Sequence, residues 1–232
     1  MTLRGKSDPD WPALVEEWKA TQERLRRRMI VAPLEPLPRF VAGADCAFST
    51  DKQTIFAAAV VYDRERQRTI EIAHATRAAE FPYIPGFLSF REGPAIQEAV
   101  GSLRHRFDAI LFDGQGIAHP RRCGIASQLA IELDQPGIGV GKSRLIGTFG
   151  KLALPAGAST PLREGDEQIG VVLRTQKGVR PVFVSIGHRV DLDSAVKLVL
   201  ACCTRYRIPE PTRQADLEVA KLKRVSDTPA TS

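Results

Sequence analysis

Three carboxylates occupy positions where a charged side chain is costly, and they are the first candidates for chemistry. Asp45 lies in the middle of the apolar segment VAGADCAF, and Asp113 ends a second apolar run and is followed by Gly114. Glu92 lies in the segment FREGP, just before a helix that we predict to begin near Pro94. Hard oxygen ligands from separate segments suit Mg²⁺ or Mn²⁺ rather than zinc. A metal ion held by such carboxylates could generate hydroxide and stabilise the charge on a phosphodiester during cleavage.

Each carboxylate also has a structural interpretation. Asp45 could be compensated by an arginine or by a backbone hydrogen bond inside the protein. Asp113 could start a turn, because Asp before Gly is a common turn pattern. Glu92 could stabilise the N-terminus of the helix that follows it. The three residues are far apart in the sequence, so their spacing alone does not bring them together.

Lys142 stands between Gly141 and Ser143 in the glycine-rich segment PGIGVGKS. This segment is similar to the phosphate-binding loop of nucleotide hydrolases, whose pattern is G-x-x-x-x-G-K-[ST]. The first glycine of that pattern would have to be residue 136, which is Pro136, and the signal for a following helix is weak. We therefore expect no nucleoside triphosphate as a ligand, and the lysine needs another role.

The segment FPYIPGF predicts a rigid loop that carries aromatic and aliphatic side chains. Pro82 fixes its own φ angle, Pro85 disfavours helix at Ile84, and Gly86 allows a sharp turn. Such a loop could pack on the core, which is the simpler interpretation on physical grounds alone. It could also place Tyr83 as a wedge in a base stack and help to extrude a nucleotide.

Length, charge and cysteine usage restrict the class of protein. The 232 residues suffice for one substantial domain, and 43% hydrophobic with 26% charged residues is typical of a soluble globular protein. We expect a cytoplasmic protein, because no apolar run approaches the roughly 20 residues of a membrane span and the N-terminus lacks a secretory signal. The four cysteines form no C-x-x-C pair, and we expect reduced thiols. The net charge of +6 is compatible with a polyanionic partner without proving one.

Apolar periodicity and turn signals predict strands first, and then strands that alternate with helices. An amphipathic helix is predicted for 11–29, and an antiparallel meander of three strands for 39–48, 55–63 and 68–77. Further helices are predicted for 94–106, 120–133, 191–206 and from about 209, and further strands for 107–114, 137–140, 168–174 and 181–186. The last residues, about 225–232, are predicted to form a disordered tail. This order indicates one α/β domain, residues 1–232, around a mixed sheet.

Several stretches, taken together and in this order, resemble the endonuclease V family of deoxyinosine 3′-endonucleases. The longest and most unusual are FPYIPGFLSFREGP (81–94) and FDGQGIAHPRRCGIASQLA (112–130). The others are VAGADCAFS (41–49), GVGKSRLIGTF (139–149), VFVSIGHRVDL (182–192) and RIPEPTRQAD (207–216). Together they cover a core from about residue 39 to 216, so the resemblance is far more specific than a single glycine motif.

The resemblance implies an RNase H-like α/β fold, in which a mixed central sheet of three antiparallel strands followed by parallel strands is flanked by helices. It implies a Mg²⁺-dependent endonuclease, with Mn²⁺ as a substitute, that acts in DNA repair, and we expect the protein to be a monomer. This enzyme would nick DNA at the second phosphodiester bond 3′ to a deaminated base, mainly deoxyinosine, and leave 3′-hydroxyl and 5′-phosphate ends. The alternatives are an inosine-specific endoribonuclease and a non-catalytic nucleic-acid-binding protein of the same fold. The intact acidic set argues against the second alternative.

Residue by residue, the resemblance assigns Asp45, Glu92 and Asp113 to an acidic metal site. Lys142 matches the active-site lysine of the family, where it would add positive charge at the phosphate. Asp216 falls at a position that the family fills with His or Asp. The role of a histidine there does not transfer to this chain, but the carboxylate could hold a second metal ion or its water.

A second set of matching residues is expected to contact nucleic acid, through a wedge loop, a base pocket with close backbone approach, and the phosphate. For His119 the alternative is a structural role, the capping of the following helix. His188 lies in another matching motif, and a structural role is the alternative for it as well. The set consists of Tyr83 with its neighbours Pro82 and Ile84, the two glycines Gly114 and Gly116, His119, and Lys142.

Overall fold

A mixed sheet organises the chain in the computed structural model, which describes residues 10–80 and 83–227. In these residues the strands are β1 (Phe40–Phe48), β2 (Thr54–Asp63), β3 (Arg68–Ala78), β4 (Ala109–Phe112), β5 (Gly137–Gly141), β6 (Thr148–Phe149), β7 (Ser159–Glu164), β8 (Glu167–Leu173) and β9 (Val182–His188). Their order across the sheet is β3-β2-β1-β4-β5-β9-β8-β7-β6. Strands β1, β4 and β5 are parallel to each other, and the other neighbouring pairs are antiparallel.

Helices cover both faces of this sheet, and each face has its own apolar core. One core packs two helices against β1, β2 and β4, and the other packs a helix against β5, β8 and β9. Strand β4 contributes to both, because Ile110 and Phe112 enter the first core and Leu111 enters the second. The helices are α1 (Trp11–Arg26), α2 (Leu88–Gly101), α3 (Ile125–Leu133), α4 (Leu192–Ala201) and α5 (Glu210–Asp227). Over 10–80 and 83–227, no helix is long and apolar enough to cross a membrane.

The parallel strands at the centre of the sheet bring three chain segments to one edge. Strand β1 pairs with β4, and Ala44 is opposite Phe112, so the next residues, Asp45 and Asp113, are neighbours. Strand β4 pairs with β5, whose end is followed directly by Lys142. The carboxyl ends of parallel strands are the usual place for ligands in α/β sheets. The predicted RNase H-like arrangement, with three antiparallel strands followed by parallel strands, is confirmed.

Helix α5 crosses β1 closely because the strand carries a glycine at the crossing point. A Cβ atom at Gly43 would overlap with the carbonyl group of Pro211 and would lie only 2.6 Å from the amide nitrogen of Thr212. Protein interiors do not accommodate such an overlap without displacement of the backbone. The crossing brings Asp216 on α5 to the edge of the sheet that carries Asp45.

The start of helix α2 differs from its prediction. The helix begins at Leu88 rather than near Pro94, which lies inside it. A proline removes one backbone hydrogen bond from a helix, which is why its position predicts a helix start. The ring of Phe90 stacks on Trp18 of α1 with centroids 5.1 Å apart, and this contact anchors the turn before the proline. Glu92 consequently lies on the body of α2 and not in front of its N-terminus.

Other predicted boundaries also need correction. Helix α1 ends at Arg26 rather than at residue 29, and α4 ends at Ala201 rather than at 206. Helix α3 begins only after its N-cap Gly124, because residues 120–121 form a turn and 122–124 continue as an irregular loop. Residues 225–227, predicted as part of a disordered tail, are the last turn of α5, and 228–232 lie outside the described residues. Strands β6 and β7 were not predicted at all.

Candidate active site

Asp45 and Asp113 form the centre of an acidic cluster at the carboxyl end of β4. Both residues are partly buried. The backbone N–H of Cys46 donates a hydrogen bond to Asp45 Oδ1 at 2.8 Å. Burial and the negative charge of Asp113 raise the pKa of Asp45 to about 8, although the charge of Lys142 opposes the rise. Two carboxylates that repel each other in a partly buried site favour the approach of a cation.

Glu92 reaches this cluster from helix α2. Burial raises the pKa of Glu92 to about 7, against the opposing effects of a hydrogen bond from the Cys46 thiol and of the charge on Arg91. The charge of Asp113 adds to the rise, so Glu92 lies within electrostatic reach of the acidic pair. The structure therefore places Glu92 near the two aspartates that the sequence singled out, although the three carboxylates come from two strands and a helix.

Lys142 stands over the acidic pair and links it to helix α5. Its Nζ atom donates to Asp113 Oδ2 at 2.5 Å and to Asp216 Oδ1 at 3.4 Å. Burial alone would lower the pKa of Lys142, but the hydrogen bond to Asp113 and the charges of Asp113, Asp45 and Asp216 raise it on balance. The lysine is therefore a permanent cation at neutral pH. Residues 142–147 form an irregular loop and no helix follows Lys142, which argues against a phosphate-binding loop of the nucleotide-hydrolase type.

The donor set suits magnesium. Within the described ranges, no three His, Cys, Asp or Glu side chains converge closely enough to hold a metal ion by themselves. Mg²⁺ commonly keeps several waters and binds through one or two carboxylates together with substrate phosphates. Asp45 and Asp113 form such a carboxylate pair, and their mutual repulsion is the force that a divalent cation would relieve. The carboxylate pair thus fits a hard divalent cation whose other ligands are water or phosphate oxygens.

A cavity of about 210 Å³ opens beside the acidic cluster. Its volume is below the range of roughly 300–1,000 Å³ that is typical for drug-sized ligands, so it suits a single planar ring system. Asp113 and Lys142 belong to both the cavity wall and the acidic cluster. The remaining polar residues of the wall are Tyr83, Ser89, Gln115, His119, Ser143 and Arg144.

Tyr83 forms the exposed tip of the loop that precedes α2. It is 56% exposed, whereas Phe87 at the base of the loop is buried and packs on Trp18, with ring centroids 5.6 Å apart. The N–H of Phe87 donates to the carbonyl of Ile84 at 3.1 Å and closes a turn. The base of the loop therefore packs on the core, as the simpler interpretation predicts, and the exposed tip leaves the wedge role of Tyr83 a prediction. Pro82, also assigned to the wedge, lies outside the described residues.

His119 is a neutral residue that connects two loops at the cavity. Its Nδ1 atom accepts from the backbone N–H of Arg121 at 3.2 Å, and Nε2 lies 3.1 Å from the carbonyl oxygen of Gly86, so the proton resides on Nε2. Burial lowers the pKa of His119 to about 4, and the charge of Arg121 adds to this effect. The predicted capping role is wrong, because α3 begins after Gly124.

The two glycines after Asp113 have different surroundings. Gly114 lines the cavity with a φ angle of +155°, and a Cβ atom there would lie 2.5 Å from Ile125 Cγ2. Gly116 lies behind the cavity wall, where its N–H donates to Ser185 Oγ at 2.8 Å and a Cβ atom would overlap with the carbonyl group of Ile186. The close approach at Gly116 is therefore to strand β9, and of these two glycines Gly114 is the one that lines the cavity.

His188 lies away from the acidic cluster. It pairs with Gly137, at the opposite end of β5 from Lys142. The backbone N–H of Ile30 donates to its Nδ1 atom at 3.2 Å, and its Nε2 atom is 3.4 Å from Asp134 Oδ1. These contacts give His188 a structural role, which is to fasten the segment after α1 to the sheet.

Two residues near the site were missed by sequence reasoning. Gln115 lines the cavity, and its position within the matching motif DGQG was the available signal. Gln22 is fully buried and donates to the carbonyl of Gly86 in the Tyr83 loop at 3.1 Å. Its signal was a polar side chain on the apolar face of α1, four residues after Trp18.

The geometry can be compared with known proteins. The sequence profile of the Endonuclease V family matches residues 23–217. Endonuclease V of Roseiflexus castenholzii is 47% identical over 214 residues, which are 92% of this chain and 96% of that protein. The crystal structure of Endonuclease V from Streptomyces avermitilis is 41% identical and superposes with a TM-score of 0.88 over 94% of this chain and 97% of that chain.

A third relative was solved with nucleic acid. Endonuclease V of Ciona intestinalis, in complex with a 24-mer DNA containing an inosine followed by a ribo-adenosine, is 27% identical. It superposes with a TM-score of 0.81 over 92% of this chain and 99% of that chain. The family match spans the acidic cluster, the cavity and the Tyr83 loop. The chain therefore belongs to the endonuclease V family, whose members are nucleases that hydrolyse phosphodiester bonds.

Proposed function

We propose that the protein is a Mg²⁺-dependent endonuclease that nicks DNA at the second phosphodiester bond 3′ to a deaminated base, mainly deoxyinosine. The observation that carries this proposal is that Asp113 and Lys142 belong at once to the acidic cluster and to the wall of a base-sized cavity. A base held in the cavity would thus keep its own strand beside the acidic cluster. The DNA complex of the Ciona relative, which contains inosine, supports the same substrate class.

The loop with Tyr83 is proposed to open the base stack. Its exposed tip carries an aromatic ring above the cavity mouth, while its base is buried. An aromatic wedge that enters a stack lowers the cost of extruding the neighbouring nucleotide into a pocket. The net charge of +6 provides the sequence-independent attraction to the phosphate backbone.

At the acidic cluster, Asp45 and Asp113 would hold the Mg²⁺ ion, with Glu92 beside them. A bound Mg²⁺ ion supplies an activated water and positive charge for the phosphate that is cleaved. Lys142 contributes a second positive charge, and Asp113 and Asp216 orient it. Because its pKa is raised, Lys142 keeps its proton and stabilises negative charge, and it does not act as a general base.

The products would carry 3′-hydroxyl and 5′-phosphate ends, and the nick would leave the lesion for later repair. We further propose that residues 1–232 act as one domain, as a monomer, and in the cytoplasm. The proposed ion is Mg²⁺, with Mn²⁺ as a substitute, because both prefer carboxylate and water oxygens.

The test is single-turnover nicking of a DNA duplex with one deoxyinosine, in Mg²⁺, in Mn²⁺ and in EDTA. We expect cleavage at the second bond 3′ to inosine with either metal ion and none in EDTA. Asp113→Asn should reduce the rate more than 100-fold, whereas Asp166→Asn, in the exposed turn between β7 and β8, should leave it unchanged. Full activity of Asp113→Asn would refute the metal-site assignment.

Substrate preference is decided by the same assay on matched strands. Inosine-DNA, inosine-RNA and inosine-DNA with a ribo-adenosine 3′ to the lesion differ only in 2′-hydroxyl groups when the strands contain neither thymine nor uracil. Faster cleavage of the all-DNA strand supports the proposal. Cleavage restricted to the RNA strand would identify an endoribonuclease. Tight binding without cleavage of any strand would identify a non-catalytic binder.

A further inference from the structure

The carbonyl oxygen of Gly86, at the base of the Tyr83 loop, receives three hydrogen-bond donors. Gln22 Nε2 lies 3.1 Å away, His119 Nε2 also 3.1 Å, and Arg121 Nη2 2.6 Å. A carbonyl oxygen has two lone pairs, so three donors saturate it. Gly86 itself has a φ angle of +81°, which favours glycine. Three side chains therefore hold the turn that follows Tyr83 through one atom, the carbonyl oxygen of Gly86.

Gln22 joins helix α1 to this arrangement. Its side chain is fully buried, and its Nε2 atom donates also to the carbonyl of Cys123 at 3.0 Å. Its Oε1 atom accepts from Arg121 Nε at 2.5 Å, so the two long side chains fix each other. Both ends of the Gln22 amide are thus used. A shorter or apolar side chain would remove the link from α1 to Gly86 and would leave the Cys123 carbonyl and Arg121 Nε without this partner.

Arg121 completes the contact with an aromatic ring. Its guanidinium group lies 4.3 Å from the centroid of Phe87, the residue after Gly86. Phe87 also packs on Trp18 of α1, and the centroids of the two rings are 5.6 Å apart. Arginine, with a planar and forked group, can donate to Gly86 and stack on Phe87 at once, which lysine cannot do.

We propose that Gln22 and Arg121 are positioning residues that hold the Tyr83 loop ready to enter a base stack. This inference rests on the proposed function, in which the loop opens the DNA. The wall of the cavity includes Gly86 and His119 but neither Gln22 nor Arg121, so these two act through the loop. Helix α1, which precedes the sheet, thereby becomes part of the lesion-opening device.

A positioning role of this kind has a distinctive consequence. The free energy needed to unstack and unpair a base must be supplied by the protein when the inosine is in a duplex. A preorganised loop supplies this free energy when it binds, whereas a loose loop must first be ordered. The cost of ordering the loop reduces the free energy that is available to unstack the base. In a single strand the inosine is already unpaired, so the rate should depend much less on the order of the loop.

The experiment compares Gln22→Met and Arg121→Lys with the wild-type enzyme. Single-turnover nicking is measured at saturating enzyme on an inosine duplex and on the same inosine strand alone. Loss of one to two hydrogen bonds predicts a fall of roughly 10-fold on the duplex and a change within about twofold on the single strand. Arg174→Lys is the matched control, because Arg174 is a buried arginine that, like Arg121, donates to backbone carbonyl groups, here those of Ala153 and Val179.

Arg174→Lys should keep the duplex-to-single-strand ratio of the wild type. A 2-aminopurine next to the lesion reports unstacking directly, and its fluorescence rise on binding should be smaller in the two loop variants. Equal losses on duplex and single strand, or no loss on either, would overturn the inference.

Hydrogen–deuterium exchange of the unliganded protein tests the structural half independently of any substrate. In Gln22→Met, amides of residues 83–90 should exchange faster while those of β1 and β4 are unchanged. Unchanged exchange of 83–90 overturns the inference even where the nuclease activity is present. If the wild type does not cleave inosine-DNA, the proposed function fails, and the exchange experiment still decides whether Gln22 holds the loop.

Discussion

Replacing Asp45 by Asn should abolish nicking and, at the same time, make the metal-free protein more stable at neutral pH. The reason is that burial and the charge of Asp113 raise the pKa of Asp45 from 3.8 to about 8. An acid with a raised pKa binds its proton more tightly in the folded state than in the unfolded state. Its contribution to stability is therefore fully present below pH 4 and is lost as the pH rises towards 8.

The size of this stabilisation follows from the pH interval in which the unfolded carboxyl group is ionised and the folded one is still protonated. At pH 7 the unfolded carboxyl group is ionised, about 3 pH units above its own pKa, and the folded group is still mostly protonated. Three units correspond to about 4 kcal/mol at 1.36 kcal/mol per unit. Water reaches part of the Asp45 side chain and screens this cost, so we expect about half of it, ~2 kcal/mol. For a chain of this length that is a rise of roughly 4–8 °C in the melting temperature.

The assay is thermal unfolding in EDTA from pH 4.5 to 8.5, with Asp63→Asn as the matched control. Asp63 accepts two hydrogen bonds from Arg39, at 2.8 and 3.1 Å, and these hold the pKa of Asp63 below its usual value. Replacing Asp63 should lower the melting temperature at neutral pH, which is opposite in sign to the change expected for Asp45→Asn. Added Mg²⁺ should stabilise the wild type and not Asp45→Asn. A melting temperature of Asp45→Asn equal to or below that of the wild type at pH 8 would refute the reasoning.

Two further substitutions and one titration test other parts of the site. Lys142→Met should slow single-turnover nicking about 100-fold, because one preorganised charge at the phosphate is lost, and should weaken DNA binding less than about fivefold in filter binding; an equal loss in both would make Lys142 a docking contact. His119 should show no titration above pH 5 by NMR, since burial lowers its pKa to about 4, and a midpoint near 6.5 would contradict the described hydrogen bonds. Gly43→Ala should reduce the free energy of unfolding by about 1–3 kcal/mol and reduce nicking, because α5 must move away from β1; unchanged denaturation midpoints would contradict the close crossing.

The central strands could be predicted from sequence because their burial leaves a plain signal. Strand β4 is the run AILF, apolar on both faces, and the three strands of the meander have short connections. Strand β7 was not predicted, because Leu162 is its one buried residue and because it contains Pro161, which disfavours a strand assignment. A strand held mainly by its neighbours has no apolar alternation of its own.

The site was predictable in its members and not in its connections. Asp45 and Asp113 stood out because a carboxylate in an apolar run requires a reason. That Lys142 contacts Asp216 could not be read from the chain, since it depends on how α5 crosses β1 at Gly43. Such a contact arises from packing between elements distant in sequence, and no local pattern encodes it. The connection from Gln22 to the Tyr83 loop escaped prediction for the same reason.

Two aspartates on paired strands show how this fold separates a structural carboxylate from one that is available for chemistry. Asp63, 1% exposed, lies at the end of β2, where Arg39 and two backbone N–H groups donate to it and lower its pKa. Asp45 lies on β1, the strand that pairs with β2. In the described residues it accepts one backbone hydrogen bond, and the nearby cation Lys142 donates to Asp113 instead. The opposite pKa shifts therefore follow from the supply of donors and not from burial alone. A carboxylate with so few donors remains free for an incoming cation, and its cost in stability is the quantity that Asp45→Asn measures.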